Sequence, residues 1–171
     1  RPSVIKNTHV LQIAVPMELT RIFDHLTSRI VGPRVINNTR LPACIFETNF
    51  PDFLRREFIA SMFGGDGIVP CFERNNFGNL ELICTESVLT KDTAVKDYKK
   101  LSKLLLDRFG VNSYVRTTLT RNNNYNIFLT IGKNADILSF YQNIGIRYCY
   151  HKIYRINAVA SCLAYKKAII D

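Results

Sequence analysis

Residues 58–67 read FIASMFGGDG, an apolar stretch that runs into two glycines, an aspartate and a third glycine. Asp52 precedes it as a helix cap, and the apolar spacing predicts a helix through Phe63. Gly64 and Gly65 then let the chain leave the helix at positive φ and let another backbone come close. The stretch therefore predicts a helix with an unusual end, on which the rest of the fold depends.

Asp66 emerges at the C-terminus of this helix, where the helix dipole disfavours an anion. A metal cation would offset that cost, so Asp66 is a candidate metal ligand. Ser61 and Gly65 lie four apart and form a stripe of small residues, which permits close packing against a similar helix. The alternative is that Gly-Gly-Asp-Gly is a helix stop with a turn aspartate and nothing more.

The chain on either side predicts two hairpins that alternate with helices. A linker with a short extended piece is expected at 34–49. The expected elements after the first helix are strands at 67–74 and 79–86, a helix at 91–109 capped by Gly110, strands at 113–121 and 125–131, and helices at 136–144 and 154–170. This order predicts an α+β fold in which a four-stranded antiparallel sheet carries its helices on one face. The other face stays free to meet a partner.

Composition narrows the function classes. The 171 residues are 47% hydrophobic with a net charge of +9, which excludes a disordered chain. Residues 111–171 carry eight basic and two acidic side chains, so a polyanionic partner is favoured. No apolar run approaches the roughly 18–20 residues of a membrane span. Five scattered cysteines without a CxxC pair predict reduced, mostly buried thiols in an intracellular compartment, with neither a zinc site nor disulfides.

The N-terminal part shows a weak internal repeat. Residues 9–15 predict a short strand and residues 16–30 a helix, and the segment 11–26 matches 129–144 in pattern. Chance similarity of two amphipathic segments is the alternative. If the repeat is real, residues 1–50 are the tail of a preceding repeat plus a linker, and residues 51–171 form a repeat of their own.

The stretch FIASMFGGDG resembles the LAGLIDADG motif of homing endonucleases, in the two-motif style found inside inteins. Ile59 falls on the first Leu of the motif, Ala60 on its Ala, Ser61 on its first Gly, and Asp66-Gly67 on its terminal Asp-Gly. The tail at 146–155 is also similar to these proteins, and the resemblance spans 41–170. Only one motif is found where the family needs two, and Gly64 replaces the motif's inner acidic residue.

The resemblance implies an αββαββα unit whose saddle-shaped sheet lies in the major groove of double-stranded DNA. A second repeat or a homodimer partner would supply the other motif helix. The residues that the resemblance places at that helix–helix interface are Ala60, Ser61, Gly64 and Gly65. No membrane partner is expected.

The resemblance also implies metal-dependent hydrolysis of phosphodiester bonds. Asp66 carries over as a catalytic metal ligand for Mg²⁺ or Mn²⁺, and the carbonyl of Gly65 adds an oxygen. Lys152 aligns with the family's basic residue near the scissile phosphate and is the second catalytic candidate. Arg155 is expected to grip a phosphate, and His151 to be an exposed interface residue rather than a general base.

Strand alternation selects the side chains that would read DNA. With Val115, Thr117 and Leu119 facing inward, the alternate residues of that strand face out, and the same reasoning applies beside Ile127, Leu129 and Ile131. The candidates are Arg74, Asn76, Glu81, Arg116, Thr118, Thr120, Arg121, Asn126 and Thr130. Arg and Asn are the side chains that bond guanine and adenine edges. An ordinary solvated sheet face is the alternative.

Three functions remain open from the sequence. The first is a site-specific double-stranded DNA endonuclease, as a subunit or as half of a larger enzyme. The second is a non-cleaving nucleic-acid-binding module, such as an intron RNA maturase or a decayed endonuclease. The third is a basic domain with no role on nucleic acid.

Overall fold

The computed structural model describes residues 2–4, 11–13, 16–18, 21, 41–73 and 76–170. Near the N-terminus, strand β1 (Pro2–Val4) pairs antiparallel with strand β2 (Leu11–Ile13), which lies inside the strand expected at 9–15. Residues 17, 18 and 21 are helical. The rest of the helix expected at 16–30 falls outside the described residues, as does most of the internal repeat at 11–26.

The remaining elements follow the expected order. They are a 3₁₀ turn (Ala43–Phe46), helix α1 (Asp52–Asp66), strands β3 (Gly67–Ile68), β4 (Phe72–Glu73), β5 (Asn76–Phe77) and β6 (Leu80–Glu86), helix α2 (Lys91–Phe109), strands β7 (Tyr114–Leu119) and β8 (Tyr125–Ile131), and helices α3 (Asn134–Asn143) and α4 (Tyr150–Ile170). The 3₁₀ turn takes the place of the extended piece expected before α1.

The main sheet has four antiparallel strands in the order β3-β6-β8-β7. This confirms the α+β fold and the four-stranded antiparallel sheet that the sequence predicts. The central strand β8 pairs along its whole length with β6, from Leu80 opposite Ile131 to Glu86 opposite Tyr125. Strand β3 continues directly from α1 and forms one edge of the sheet.

The inner face of the sheet forms the core with the helices. We use this name for the face that carries Leu80, Leu82, Cys84, Val115, Ile127, Leu129 and Ile131; the outer face carries Ile68, Glu81, Ile83, Thr85, Tyr114, Arg116, Thr118, Asn126, Phe128 and Thr130. Leu101 and Leu105 of α2 are fully buried in the same cluster as Leu82 and Leu129. Each Å² of apolar surface that is buried contributes about 25 cal/mol, so the packing of α2 on the inner face of the sheet is a main source of the fold's stability.

Helix α1 is longer than its sequence predicts. It begins at Asp52, whose side chain pairs with Arg55 rather than capping the backbone, and it continues through Gly64 and Gly65 to Asp66. Gly67 follows in an extended conformation with φ −76°, so the expected exit at positive φ is wrong. A left-handed glycine does end α2, where the N–H of Gly110 (φ 64°) bonds the carbonyl of Leu106 as expected.

Two further expectations need correction. The strands expected at 67–74 and 79–86 do not form one hairpin, because β3 pairs with β6 while β4 and β5 form a separate small ribbon. In β7, the register places Leu119 on the same side as Val115, as expected, although its side chain is 62% exposed. Helix α4 begins at Tyr150, four residues earlier than expected.

None of the five cysteines forms a disulfide; Cys71 and Cys162 are exposed and the other three are half-buried. The expectation that most of them are buried is therefore wrong. Within the described residues, no helix combines the length and the apolar character that crossing a bilayer requires.

Candidate functional site

Asp66 is exposed at the last position of α1, directly before the edge strand β3. The helix therefore delivers this carboxylate to the margin of the sheet. Gly67 follows it and pairs with Leu82, and Ile68 then lies opposite Glu81 on the outer face. Asp66 is thus placed where a molecule lying against the outer face would meet the end of the helix.

Lys152 reaches the same end of α1 from helix α4. Its ammonium donates a hydrogen bond to the carbonyl oxygen of Gly65 at 2.6 Å and lies 3.5 Å from that of Phe63. A cation here compensates the partial negative charge of the helix C-terminus, which bears orphan carbonyls. The two residues proposed as catalytic from the resemblance, Asp66 and Lys152, therefore meet at one helix end although 86 positions separate them in the sequence.

The loop before α4 is clamped onto α1, and this contact brings Lys152 into place. The backbone N–H of Arg147 donates to the carbonyl of Ala60 at 3.2 Å, and its guanidinium lies 3.3 Å from the carboxylate of Glu57. Gly64 makes the approach feasible, since a Cβ there would overlap the carbonyl oxygen of Arg147. Tyr148 then takes a left-handed conformation with φ 63° as the chain turns into α4.

The donors at this helix end suit a hard divalent cation. The Asp66 carboxylate and the Gly65 carbonyl are oxygen ligands, which Mg²⁺ and Mn²⁺ prefer. Among the described residues, no three His, Cys, Asp or Glu side chains lie close enough to form a metal cluster on their own. A metal held by this chain would therefore draw on few protein oxygens, and Mg²⁺ characteristically keeps several waters.

The small residues of α1 divide between two environments. Ala60 is completely buried and Gly64 is packed against Arg147, so both belong to the chain's own interior rather than to an open face. Ser61 is half-buried, with its hydroxyl bonded to the carbonyl of Glu57, and Gly65 is exposed with nothing within 4 Å of where a Cβ would lie. Of the four residues expected at a helix–helix interface, only Ser61 and Gly65 are therefore accessible to a second helix, and the interface itself stays a prediction.

The centre of the outer face holds a polar cluster instead of freely exposed side chains. Glu81 is only 8% exposed and Thr130 is fully buried, although both were expected to be accessible. The carboxylate of Glu81 accepts hydrogen bonds from the Thr130 hydroxyl at 3.0 Å and from Nη2 of Arg116 at 3.0 and 3.2 Å. The guanidinium of Arg116 also lies 3.6 Å from the ring centroid of Phe128.

The other candidate reading residues are scattered around this cluster. Thr118 is exposed on the outer face, and Asn126 bonds the hydroxyl of Thr85 across the strands at 2.8 Å. Thr120 closes the β7–β8 turn through two hydrogen bonds to the carbonyl of Asn124, so it has a structural role there. Arg121 is exposed in that turn.

The remaining candidates lie near the small ribbon. Asn76 is exposed on β5 and its side-chain oxygen accepts the N–H of Phe77, while Arg74 lies outside the described residues. Arg155 is exposed on α4 and borders an apolar groove between that helix and the ribbon.

The start of α4 also presents a pair of tyrosines that the sequence reasoning did not select. Tyr150 and Tyr154 share a hydrogen bond of 2.7 Å between their hydroxyls, and their rings meet edge to face. The hydrogen bond with Tyr150 raises the pKa of Tyr154 above its ordinary value, with a smaller contribution from desolvation. Their i, i+4 spacing could have indicated that the two tyrosines lie on one face of a helix, but only if the helix begins at Tyr150 rather than at 154. His151 is exposed beside them.

Comparisons with known proteins support the resemblance. A family model described as a LAGLIDADG-like domain matches residues 53–145. The chain is also similar to the replication factor C small subunit of Methanocaldococcus jannaschii, with 27% identity over 141 residues. That match covers 82% of this chain and 7% of the relative, so the chain spans a small part of that protein's length. No solved structure matches the chain at a significant level.

Proposed function

The chain belongs to the LAGLIDADG family, and on that premise we propose that it is a site-specific double-stranded DNA endonuclease, as a subunit or as half of a larger enzyme. LAGLIDADG domains are homing endonucleases or related nucleic-acid-binding proteins. The observation that carries the proposal is the meeting of Asp66 and Lys152 at the C-terminus of α1, beside the outer face of the sheet. The assignment of residues 51–171 to one repeat, and of 1–50 to the tail of another, stays a prediction.

The outer face supports binding of a duplex. The helices pack on the inner face, and the outer face carries polar side chains, including Arg116, Thr118 and Asn126, that can bond base edges. A strand ribbon is narrow enough to enter the major groove of B-DNA. The excess of basic residues in the C-terminal part of the chain adds attraction for phosphates, which makes binding depend on salt.

The proposed chemistry uses the oxygens at the end of α1. Asp66 and the carbonyl of Gly65 would hold Mg²⁺ or Mn²⁺. When bound, such a metal polarises the phosphate and lowers the pKa of a water. Lys152 would stabilise charge that develops on the phosphate, because its ammonium is already fixed at this end of the helix.

Pairing with a second motif helix would supply another carboxylate. Ser61 and Gly65 are small residues on one face of α1, and nothing lies within 4 Å of where a Cβ of Gly65 would be. Leu54, on the same face two turns earlier, is 44% exposed. A similar helix could approach closely there. The partner would be a second LAGLIDADG repeat or another copy of this chain, and cleavage would require that partner. A match to a small part of a much longer protein supports an origin within an inserted element such as an intein or intron.

Cleavage by an Asp66→Asn variant tests the proposal. A duplex is first selected from a random pool with the wild-type chain in the absence of divalent cations, and is then incubated with Mg²⁺. We expect the wild-type chain, paired with its second motif helix, to cut it, and Asp66→Asn to bind it equally well without cutting. Asp107→Asn, the same change at an exposed position of α2, is the matched control and should cut normally. Retained cutting by Asp66→Asn would refute the assignment.

A second candidate function is a non-cleaving nucleic-acid-binding module, such as an intron RNA maturase. One observation favours it: the ammonium of Lys152, at 2.6 Å, occupies the Gly65 carbonyl that a metal would use. Binding to duplex DNA and to a structured RNA, each at two salt concentrations with and without Mg²⁺, separates the two. A preference for RNA, or duplex binding with no Mg²⁺-dependent cutting, would support the non-cleaving function.

A further inference from the structure

Glu81 and Arg116 form an ion pair in the middle of the outer face. Both carboxylate oxygens of Glu81 accept from Nη2 of Arg116, at 3.0 and 3.2 Å, with the carboxylate side chain 10% exposed and the arginine side chain 39% exposed. The carboxylate of Glu81 therefore neutralises the charge of Arg116, while part of the guanidinium remains open to a ligand on the outer face.

Two further contacts fix the orientation of the guanidinium. Phe128, directly across from Arg116 in the ladder, presents its ring 3.6 Å from the guanidinium carbon. Thr130, fully buried, donates its hydroxyl to Glu81 at 3.0 Å and so prevents the carboxylate from turning away. Stacking below and a carboxylate at one side hold a flat cation in one orientation, which lowers the entropy cost of a subsequent hydrogen bond.

We propose that Glu81 is a positioning residue that turns Arg116 into a reader of guanine rather than a phosphate clamp. This inference rests on the proposed function, in which the outer face meets duplex DNA. A neutralised arginine attracts phosphates weakly, since the long-range attraction depends on net charge. Its remaining N–H donors still match the N7 and O6 acceptors that guanine shows in the major groove, and arginine to guanine is the commonest specific contact. Thr130 acts through Glu81.

The pairing makes a counterintuitive prediction for Glu81→Gln. The amide oxygen still accepts hydrogen bonds from Arg116 and Thr130, so the fold is kept, but the positive charge of Arg116 is released. We expect the guanine preference at one position of the selected site to fall about tenfold. At the same time, binding to a mixed-sequence duplex should become tighter, and its salt dependence should steepen by a slope of about 0.9, as expected for one added phosphate neutralised.

Two other variants separate positioning from charge. Thr130→Val removes the hydroxyl that holds Glu81 without changing any charge, so it should weaken the guanine preference and leave the salt slope unchanged. Lys99→Ala removes an exposed cation of α2, on the helical side of the chain, as the matched control, so it should leave both the salt slope and the guanine preference unchanged. Thermal unfolding of each variant reports whether the fold is retained.

The probes are a randomised duplex pool, sequenced after selection with each variant, and one mixed-sequence duplex titrated at several salt concentrations. An unchanged guanine preference in Glu81→Gln would overturn the inference. It is equally overturned if the double variant Glu81→Gln/Arg116→Gln, which removes both charges of the pair, makes the wild-type salt slope shallower by about 0.9, since Arg116 would then hold a phosphate. If the wild-type chain selects no sequence or binds no duplex, the proposed function itself fails and takes the inference with it.

Discussion

Gly64 and Gly65 are neighbours in α1, yet an alanine at each should change stability in opposite directions. At Gly64, an added Cβ would overlap the carbonyl oxygen of Arg147 and lie 3.1 Å from its carbonyl carbon. Both atoms belong to the backbone and cannot rotate away. At Gly65, nothing lies within 4 Å of the added atom. The two substitutions are chemically identical, so their difference isolates the contact with the loop before α4.

The magnitudes follow from two opposing terms. Replacing a helical glycine by alanine gains about 0.5–1 kcal/mol, because the unfolded chain loses freedom. Overpacking a tight contact costs typically about 1–3 kcal/mol and occasionally more. Gly65→Ala should therefore raise the free energy of unfolding by about 0.5 kcal/mol. Gly64→Ala should lower it by about 2 kcal/mol, which for a chain of this size lowers Tm by roughly 4–8 °C.

Urea unfolding followed by circular dichroism measures both variants under the same conditions. The slope with urea should not change, since neither variant alters the buried surface substantially. Gly64→Ala should also displace Lys152, because the loop that the new methyl group displaces leads directly into α4. Equal stability of the two variants, or a Gly64→Ala chain as stable as the wild type, would contradict the packing of α1 against residues 146–147.

Four further changes have expected outcomes. Gly65→Ala, although it stabilises the single chain, should weaken pairing with a second motif helix, which sedimentation in the presence of duplex DNA can measure. Lys152→Met should cost about 0.3–1 kcal/mol of unfolding free energy through loss of the cation at the end of α1, and chemical denaturation checks this. Arg55→Met should cost about 1–3 kcal/mol, because the buried guanidinium donates to the carbonyls of Ile45 and Glu47 at 2.8 Å; thermal unfolding against an Arg56→Met control measures it. The pKa of Tyr154 is raised in the folded chain, so the hydrogen bond that raises it stabilises the fold fully below the unfolded pKa of about 10, and this stabilisation is lost as pH rises through the folded pKa. In Tyr150→Phe the tyrosinate absorbance of Tyr154 should therefore appear at lower pH. An unchanged titration would contradict the hydrogen bond.

Local patterns predicted the elements of this fold well, because most of them bury one regular face. Helix α2 could be predicted from its own apolar stripe and from the glycine that ends it. Strand β8 could be predicted from the alternation of Ile127, Leu129 and Ile131, and neither prediction required knowledge of distant contacts. The end of α1 was mispredicted for the opposite reason. Gly64 and Gly65 favour leaving a helix by themselves, but the contact with Arg147 and the ammonium of Lys152 keep them helical.

The candidate site shows the same division. Alternation correctly assigned Glu81 and Thr130 to the outer face, but it could not show that they are buried. Their burial follows from the register that places them opposite each other, 49 residues apart, with Arg116 beside them. Asp66 could be selected from the motif alone. Its proximity to Lys152 could not be predicted, because it depends on how the loop at 146–148 packs on α1.

The position of duplex DNA on this chain is the most direct test of the account. A photo-crosslinking amino acid at Thr118, exposed on the outer face, is compared with the same group at Lys99, exposed on α2. The account predicts that a bound duplex crosslinks through position 118 and that position 99 gives only background. Crosslinks from position 99 with none from position 118 would contradict it, because the DNA would then lie on the helical side and away from Asp66.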